Sequence, residues 1–480
     1  MRLVLDLQAT QSPEHFDRGI ARYVAELALG LVDIGADIAL LGLNPDRPLP
    51  PALAPRLLSH PAVGWTGAAS IEAVEGDAAY VATSPMEDAP LRSILPDAVR
   101  RRGLPVVAIL YDLIPLVFPD RYLRERPWSA ATYRQRLDVY RVADVVLAIS
   151  ERTRADGIQL LGLDPGRVRV IHGGVASFFR PPSGFDDPPP LPGPSRPYVL
   201  CVGGDDPRKN LEGLIRAWGC MGADHQERFR LVIVCKLRPE ARDALLQEAA
   251  AAGIRPDSIV ITGYVGDPAL RSLYQHAALC VVPSRYEGLG LPVLEALACG
   301  CPTITSSTSS LPEVLQLASS TFDPDAPAAI AAAMARALGD EQLREEILER
   351  AAERLPQFTW TATAERVVAA AERLRRPVPT TPRKRRPSLA IVGPVPPSSA
   401  GPAVYTSRIV RTLRDLADVV LVDSENRRHG TIDGVPCVPA MGVGDLLRLE
   451  DSDHVLTLFG NSEHYGAGME LHRRHPSVAW

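Results

Sequence analysis

Ser284-Arg-Tyr-Glu-Gly-Leu-Gly-Leu-Pro-Val-Leu-Glu-Ala-Leu-Ala-Cys-Gly-Cys-Pro302 is the stretch from which the chain is read. It follows Leu279-Cys-Val-Val-Pro283, an apolar run that predicts a buried strand. Glycines stand at Gly288 and Gly290, and an apolar, Ala-rich helical pattern starts near Pro292. Proline suits the first turn of a helix, where its missing N–H is not needed. Strand, Gly-rich turn and helix N-terminus together make an anion site, since free amides and the helix dipole both favour phosphate. Glu287 and Glu295 bracket this site. Carboxylates beside a phosphate site suit hydroxyl groups, which donate hydrogen bonds to them. A ligand with phosphates in the middle and hydroxylated rings at both ends fits, and a nucleotide-sugar has that shape.

A second phosphate-binding pattern lies upstream. Tyr198-Val-Leu-Cys-Val-Gly-Gly-Asp-Asp-Pro-Arg-Lys-Asn-Leu211 reads as a strand, a Gly turn, a basic pair and a helix start capped by Asn210. Arg208 and Lys209 can each neutralise a diphosphate. The string Tyr-Glu-Gly-x-Gly-Leu-Pro-x-Leu-Glu-Ala-x-Ala-Cys-Gly-x-Pro, with its two glutamates, resembles the signature of the large family of retaining group-1/family-4 glycosyltransferases that includes sucrose synthase and bacterial mannosyltransferases. The resemblance covers nearly all of residues 1–376. It implies an α/β chain of the GT-B class, two facing Rossmann-like domains with the active site in the cleft.

The resemblance also assigns roles. Glu287 would contact the transferred sugar and stabilise its developing positive charge. The amides of Gly288, Leu289, Gly290 and Leu291, with Lys209, would hold the diphosphate, and Glu295 the ribose hydroxyls. Arg208 would compensate for Gly204, which stands where a second arginine is common. The family usually reads His-Asp after the buried strand Val106–Leu110; here Tyr111-Asp112 stands there. Tyr111 can hydrogen-bond a sugar or phosphate oxygen, and Asp112 either joins it or caps the following turn. Gly19 either opens the first helix plainly or lets backbone approach the donor closely. No cofactor and no metal are implied, and Asp205-Asp206 are not placed as ligands. The reaction implied is transfer of a hexose, best taken as mannose from GDP-mannose, to a hydroxyl of a growing cell-surface glycan. The alternatives are an epimerase of the same architecture and a catalytically weak nucleotide-sugar-binding scaffold.

The rest of the chain agrees with this frame. At 480 residues it needs more than one domain, and 46% apolar and 23% charged residues are those of a globular protein. A net charge of −5 gives no reason to expect nucleic acid. The clusters Arg100–Arg102 and Arg383–Arg386 read as solvated surface or as a peripheral contact with anionic head groups near a lipid-linked acceptor. The seven cysteines lack zinc-ligand spacing and point to a reducing compartment, so a cytoplasmic location at the inner face of the membrane is expected. The N-terminus reads as a first strand rather than a signal peptide, and no apolar run reaches the ~18–20 residues of a membrane span.

The predicted boundaries are 1–183 for an acceptor-side domain and 184–376 for a nucleotide-sugar domain, joined through the proline-rich stretch 181–197. A Pro/basic linker over 377–387 and a partial third domain over 388–480 follow. Gly401 and Tyr405 repeat Gly19 and Tyr23 at a common offset (401 − 19 = 405 − 23 = 382). Residues 388–480 therefore read as the start of a second glycosyltransferase module, which would make the chain a piece of a longer tandem enzyme, or as an unrelated small α/β appendage.

Overall fold

The computed structural model describes residues 1–11, 19–41, 49, 53–58, 64–66, 71, 74, 76–86, 95–96, 98–99, 102–124, 133–134, 136–183, 189, 191–193, 196–374, 388–396, 401–423, 430–432, 435–439, 454–458 and 478–479. The basic residues at 100–101 and 383–386 and the linker 377–387 lie outside them.

Short runs of three to five mostly apolar residues build the first sheet. Its strands are β1 (Arg2–Asp6), β2 (Ile38–Leu41), β3 (Gly64–Thr66), β4 (Ala78–Ala82), β5 (Val106–Leu110), β6 (Val145–Ala148) and β7 (Val168–Val170). They are parallel, in the order β3-β2-β1-β4-β5-β6-β7. Near-continuous apolarity is what a parallel sheet covered on both faces requires. The second sheet comprises β8 (Tyr198–Val202), β9 (Arg230–Val234), β10 (Ile259–Ile261), β11 (Leu279–Val282), β12 (Thr303–Ser306) and β13 (Thr321–Phe322), in the order β10-β9-β8-β11-β12-β13. In such sheets ligands bind at the carboxyl edge where the strand order reverses. That point falls between β1 and β4 in the first sheet and between β8 and β11 in the second.

The chain recrosses the cleft after the second sheet. Thr359 caps the helix Trp360–Glu372, its hydroxyl accepting from the amide of Ala362 (3.1 Å). The Tyr23 ring packs edge-on against Trp360 at 4.8 Å. Val175 N donates to Phe358 O (2.9 Å), and Arg366 donates to Ile171 O (3.1 Å). The approach needs glycine. A Cβ on Gly30 would stand 2.7 Å from Trp360 O, and one on Gly174 would collide with the Trp360 amide.

The third sheet holds β14 (Ser388–Gly393), β15 (Asp418–Asp423), β16 (Gly430–Ile432), β17 (Val435–Pro439), β18 (His454–Thr457) and β19 (Val478–Ala479). Its order is β16-β17-β15-β14-β18-β19, with β16 antiparallel to β17. Setting β16 aside, β17-β15-β14-β18-β19 reproduces β3-β2-β1-β4-β5 strand for strand. The helix Gly401–Leu413 follows β14 as Gly19–Asp33 follows β1.

Gly30→Ala and Gly174→Ala are each expected to cost about 1–3 kcal/mol, as overpacking does in a tight core. Denaturant unfolding checks this; an unchanged midpoint would mean that the returning helix is not held where it is seen.

Candidate active site

Two loops meet at the switch point of the second sheet. After β8 the chain runs through Gly203 and Gly204 into the short turn Pro207–Lys209, where Asp206 accepts from the Arg208 amide (3.0 Å). Asn210 was expected to cap the next helix through its side chain. Instead its backbone is left-handed (φ 58°), and its Nδ2 donates to Pro283 O (3.1 Å) and Pro324 O (2.7 Å). It thereby ties the β8 loop to the segments after β11 and β13. The β11 loop is fixed from the other side. Arg285 N donates to Arg208 O (2.7 Å), Glu287 N to Ser309 Oγ (2.9 Å), and Ser310 Oγ to Glu287 O (2.9 Å). Gly290 takes φ 93°, a region L side chains rarely adopt, and releases the helix Leu291–Ala298 with Pro292 in its first turn.

The loops place one carboxylate between two cations. Glu287 Oε1 lies 2.6 Å from Lys209 Nζ, and Oε2 lies 2.9 Å from an Arg208 guanidinium nitrogen. Arg208 also donates to Tyr286 O (2.8 Å). Glu287 is buried at 8% exposure, which by itself raises a carboxyl pKa. Lys209 and Arg208 outweigh the burial and hold Glu287 down at about 2. Glu295 is the opposite case. It is equally buried, accepts one hydrogen bond from Tyr274 Oη (3.1 Å), and is pushed by burial up to about 7.

The first domain supplies the other wall. A Cβ on Gly288 would stand 2.5 Å from Tyr111 O, so the two domains meet backbone to backbone there. The Tyr111 hydroxyl donates to Thr83 O (2.7 Å), and its ring packs edge-on to Tyr23 at 5.1 Å. Asp112 accepts from the Ile114 amide (3.0 Å), the turn-capping arrangement, and burial raises its pKa. Leu289 is buried, and Leu291 is half-buried at the helix start. Gly204 sits in the open, with Lys209 Cε 4.0 Å from where a Cβ would be. Gly19 opens its helix, but a Cβ there would meet nothing within 4 Å. Among the described residues, then, no protein backbone approaches Gly19 closely. His172 lies against Phe358 (5.0 Å), and burial lowers its pKa to about 4, so its ring is neutral near pH 7.

Several contacts across the cleft had no reading from the sequence. Tyr122 donates to Asp206, Tyr286 to Asp156, and Glu313 accepts from the amides of Glu151 and Arg152. Within its own domain Glu313 occupies the first turn of Leu311–Leu315, where an acid suits the helix dipole. What it caps, however, is a helix of the other domain. Among the described residues no three His, Cys, Asp or Glu side chains gather as metal ligands would. No helix among them is long and apolar enough to cross a membrane.

Comparison with known proteins bears on this cleft. Residues 186–354 match the family "Glycosyl transferases group 1" and residues 18–177 match "Glycosyltransferase Family 4". The chain is 32% identical over 275 residues to the serotype-specific mannosyltransferase WbdA of Escherichia coli, covering 56% of this chain and 33% of WbdA. Against the O-antigen chain mannosyltransferase B of the same organism, identity is 31% over 258 residues, 53% of this chain and 66% of that protein. A D-inositol 3-phosphate glycosyltransferase of Thermobispora bispora is 27% identical over 394 residues, 75% and 92% of the two chains. The matched stretch thus spans about a third of WbdA. Among solved structures, the sucrose-phosphate synthase of Thermosynechococcus elongatus superposes with a TM-score of 0.56 at 20% identity, over 78% of this chain and 99% of that one. Anabaena HepE, solved with UDP and glucose, gives 0.59 at 15% identity, over 78% and 100%. Residues 18–354 belong to the group 1/family 4 glycosyltransferases, on the GT-B fold of two facing parallel-sheet domains.

Proposed function

We propose that the chain moves a hexose, with mannose from GDP-mannose as the leading donor, onto a hydroxyl of a growing cell-surface glycan, with retention at the anomeric carbon. The carrying observation is Glu287 held between Lys209 and Arg208 at the sheet's switch point, beside the amides of a helix start. Two close cations make a seat for a diphosphate. In this reading Glu287 fills that seat until the donor arrives. The diphosphate then takes Lys209, Arg208 and the amides of Gly288 to Leu291, and the freed carboxylate turns to the sugar. Being held near 2, it is ionised wherever the protein is folded at ordinary pH.

The C1–O bond to the diphosphate breaks while the acceptor oxygen joins C1 on the same face. The acceptor proton passes to the departing phosphate, so no protein base and no metal are called for. Stabilising the charge developing on sugar and leaving group is the main contribution. Glu295 takes the ribose hydroxyls, and Tyr111 and Asp112 form the wall opposite. Mannose rests on the names of the relatives, glycan acceptors rest on the same ground, and a cytoplasmic location at the membrane face follows from such an acceptor. The third sheet reads as the opening of a second module of the same kind, because its strand order repeats that of the first. A chain ending at residue 376 is then expected to keep its nucleotide release. Loss of release would make the third sheet part of the first site.

Nucleotide release from a panel of GDP- and UDP-sugars, with a mannosylated or polyprenyl-linked acceptor present, tests the main reading. Wild type should release one nucleotide, and Glu287→Gln should lose about 10²–10³ in rate. Donor binding without release by either protein would leave a binding module.

Glu295 gives a pH test. Its carboxyl ionises at about 7 when folded against a usual 4.5. The stability this lends is fully present below 4.5 and is lost as pH rises through 7, about 3 kcal/mol in all. Glu295→Gln keeps an acceptor for Tyr274 but does not titrate. The variant should therefore gain on wild type between pH 5 and pH 8 in urea unfolding, while donor binding weakens. An equal gap at both pH values would contradict this.

A further inference from the structure

We propose that Tyr122 and Tyr286, two phenols that cross the cleft in opposite directions, are positioning residues that complete the Glu287 clamp only when the domains close; the proposal rests on reading the clamp as the donor seat.

Tyr122 belongs to the first domain. Its hydroxyl reaches both oxygens of Asp206 in the second domain, at 2.8 and 2.7 Å. Asp206 is the residue that holds the turn carrying Arg208 and Lys209. It accepts from the Arg208 amide, and its carboxylate lies 3.4 Å from Arg208 Nε. Tyr286 belongs to the second domain and directly precedes Glu287. Its hydroxyl donates to Asp156, a carboxylate at 1% exposure on the first-domain helix Glu151–Leu161. Arg152 pairs with Asp156 (2.8 Å), donates from Nε to the Tyr286 hydroxyl (3.3 Å), and lays its guanidinium over the Tyr286 ring (5.6 Å). Phe118 packs edge-on to the same ring at 5.8 Å. Each phenol thus binds one half of the clamp, the cation turn or the carboxylate loop, to the opposite domain.

A third tether shows what opening would cost. Ser150 Oγ accepts from the Thr153 amide, which leaves the amides of Glu151 and Arg152 to be satisfied at that helix start. Glu313 of the second domain accepts from both, at 2.8 and 2.7 Å. Opening the cleft strips these amides, and the buried Asp156, of partners from the other domain. Opening exchanges each of these bonds for one to water, a modest net loss per bond, so together they favour closure. A donor that needs the closed clamp binds more weakly in proportion to any loss of the closed population.

The test uses the full chain as wild type, Tyr122→Phe and Tyr286→Phe. Tyr122 is only half-buried, so its variant keeps the test open should Tyr286→Phe fold poorly. Hydrogen exchange without ligand is expected to speed up at Glu151 and Arg152 in both variants and to stay unchanged in β8 and β11. Calorimetric titration with GDP and with UDP is expected to show roughly tenfold weaker binding of whichever nucleotide wild type takes. With a donor that turns over, KM should rise and kcat should hold, whereas partial misfolding lowers kcat at constant KM. Unchanged exchange at Glu151 and Arg152 overturns the proposal whatever the binding shows. Should wild type bind neither nucleotide, the transferase reading falls while the exchange arm still judges the tethers.

Discussion

The structure depends on one electrostatic arrangement, a buried carboxylate shared by two cations that arrive on a different loop. Glu287 is desolvated, and a lone carboxylate at such a site would take up a proton to escape the cost. Lys209 and Arg208 remove that option. They can do so only because β8 and β11 are neighbours whose carboxyl ends lie side by side. The strand order therefore comes before the chemistry. It brings a basic turn near residue 208 and an acidic loop near residue 287 to hydrogen-bond distance.

Placing charges so closely requires the loops to be fixed in position, and most of the fixing is done by neutral groups. Asn210 donates to two carbonyls, Ser309 and Ser310 hold the backbone of Glu287, and Arg208 spends one nitrogen on the Tyr286 carbonyl. These bonds hold the two loops in one arrangement, because a buried donor or acceptor that lost its partner would carry a desolvation cost. Glu295 shows the contrast within a few residues. Among the described residues no cation lies at hydrogen-bond distance from it, so burial wins and its pKa rises to about 7. Two glutamates of one motif thus carry different charge states near neutral pH, which suits one to cationic chemistry and the other to neutral hydroxyls.

Much of this was legible in the sequence, and the reason is periodicity. Short apolar runs such as Val106–Leu110 and the one that opens at Tyr198, bounded by turn residues, read as strands of a sheet buried on both faces, and the first was read to the residue. The glutamate loop, the basic turn and the repeated strand pattern after residue 388 were legible for the same reason. The readings at single residues were less secure. Asn210 stands where a cap should stand and instead bridges two loops, because a left-handed backbone turned its amide inward. Tyr122 carried no signal, and nothing local to Glu313 pointed to its bonds with Glu151 and Arg152. Their partners lie in another domain, and no local spacing encodes a bond that exists only once two sheets face each other. The tight approach of Gly288 to Tyr111 was hidden for the same reason.

The claim at the centre of the account is that the Glu287 carboxylate keeps the place of the donor diphosphate. A crystal structure of the chain soaked with GDP, and a second with UDP, tests it most directly. Phosphate oxygens are expected within hydrogen-bond distance of Lys209 Nζ, the Arg208 guanidinium and the amides after Glu287, with the carboxylate swung away from both cations. A nucleotide bound elsewhere in the cleft, with both ion pairs intact, would contradict it.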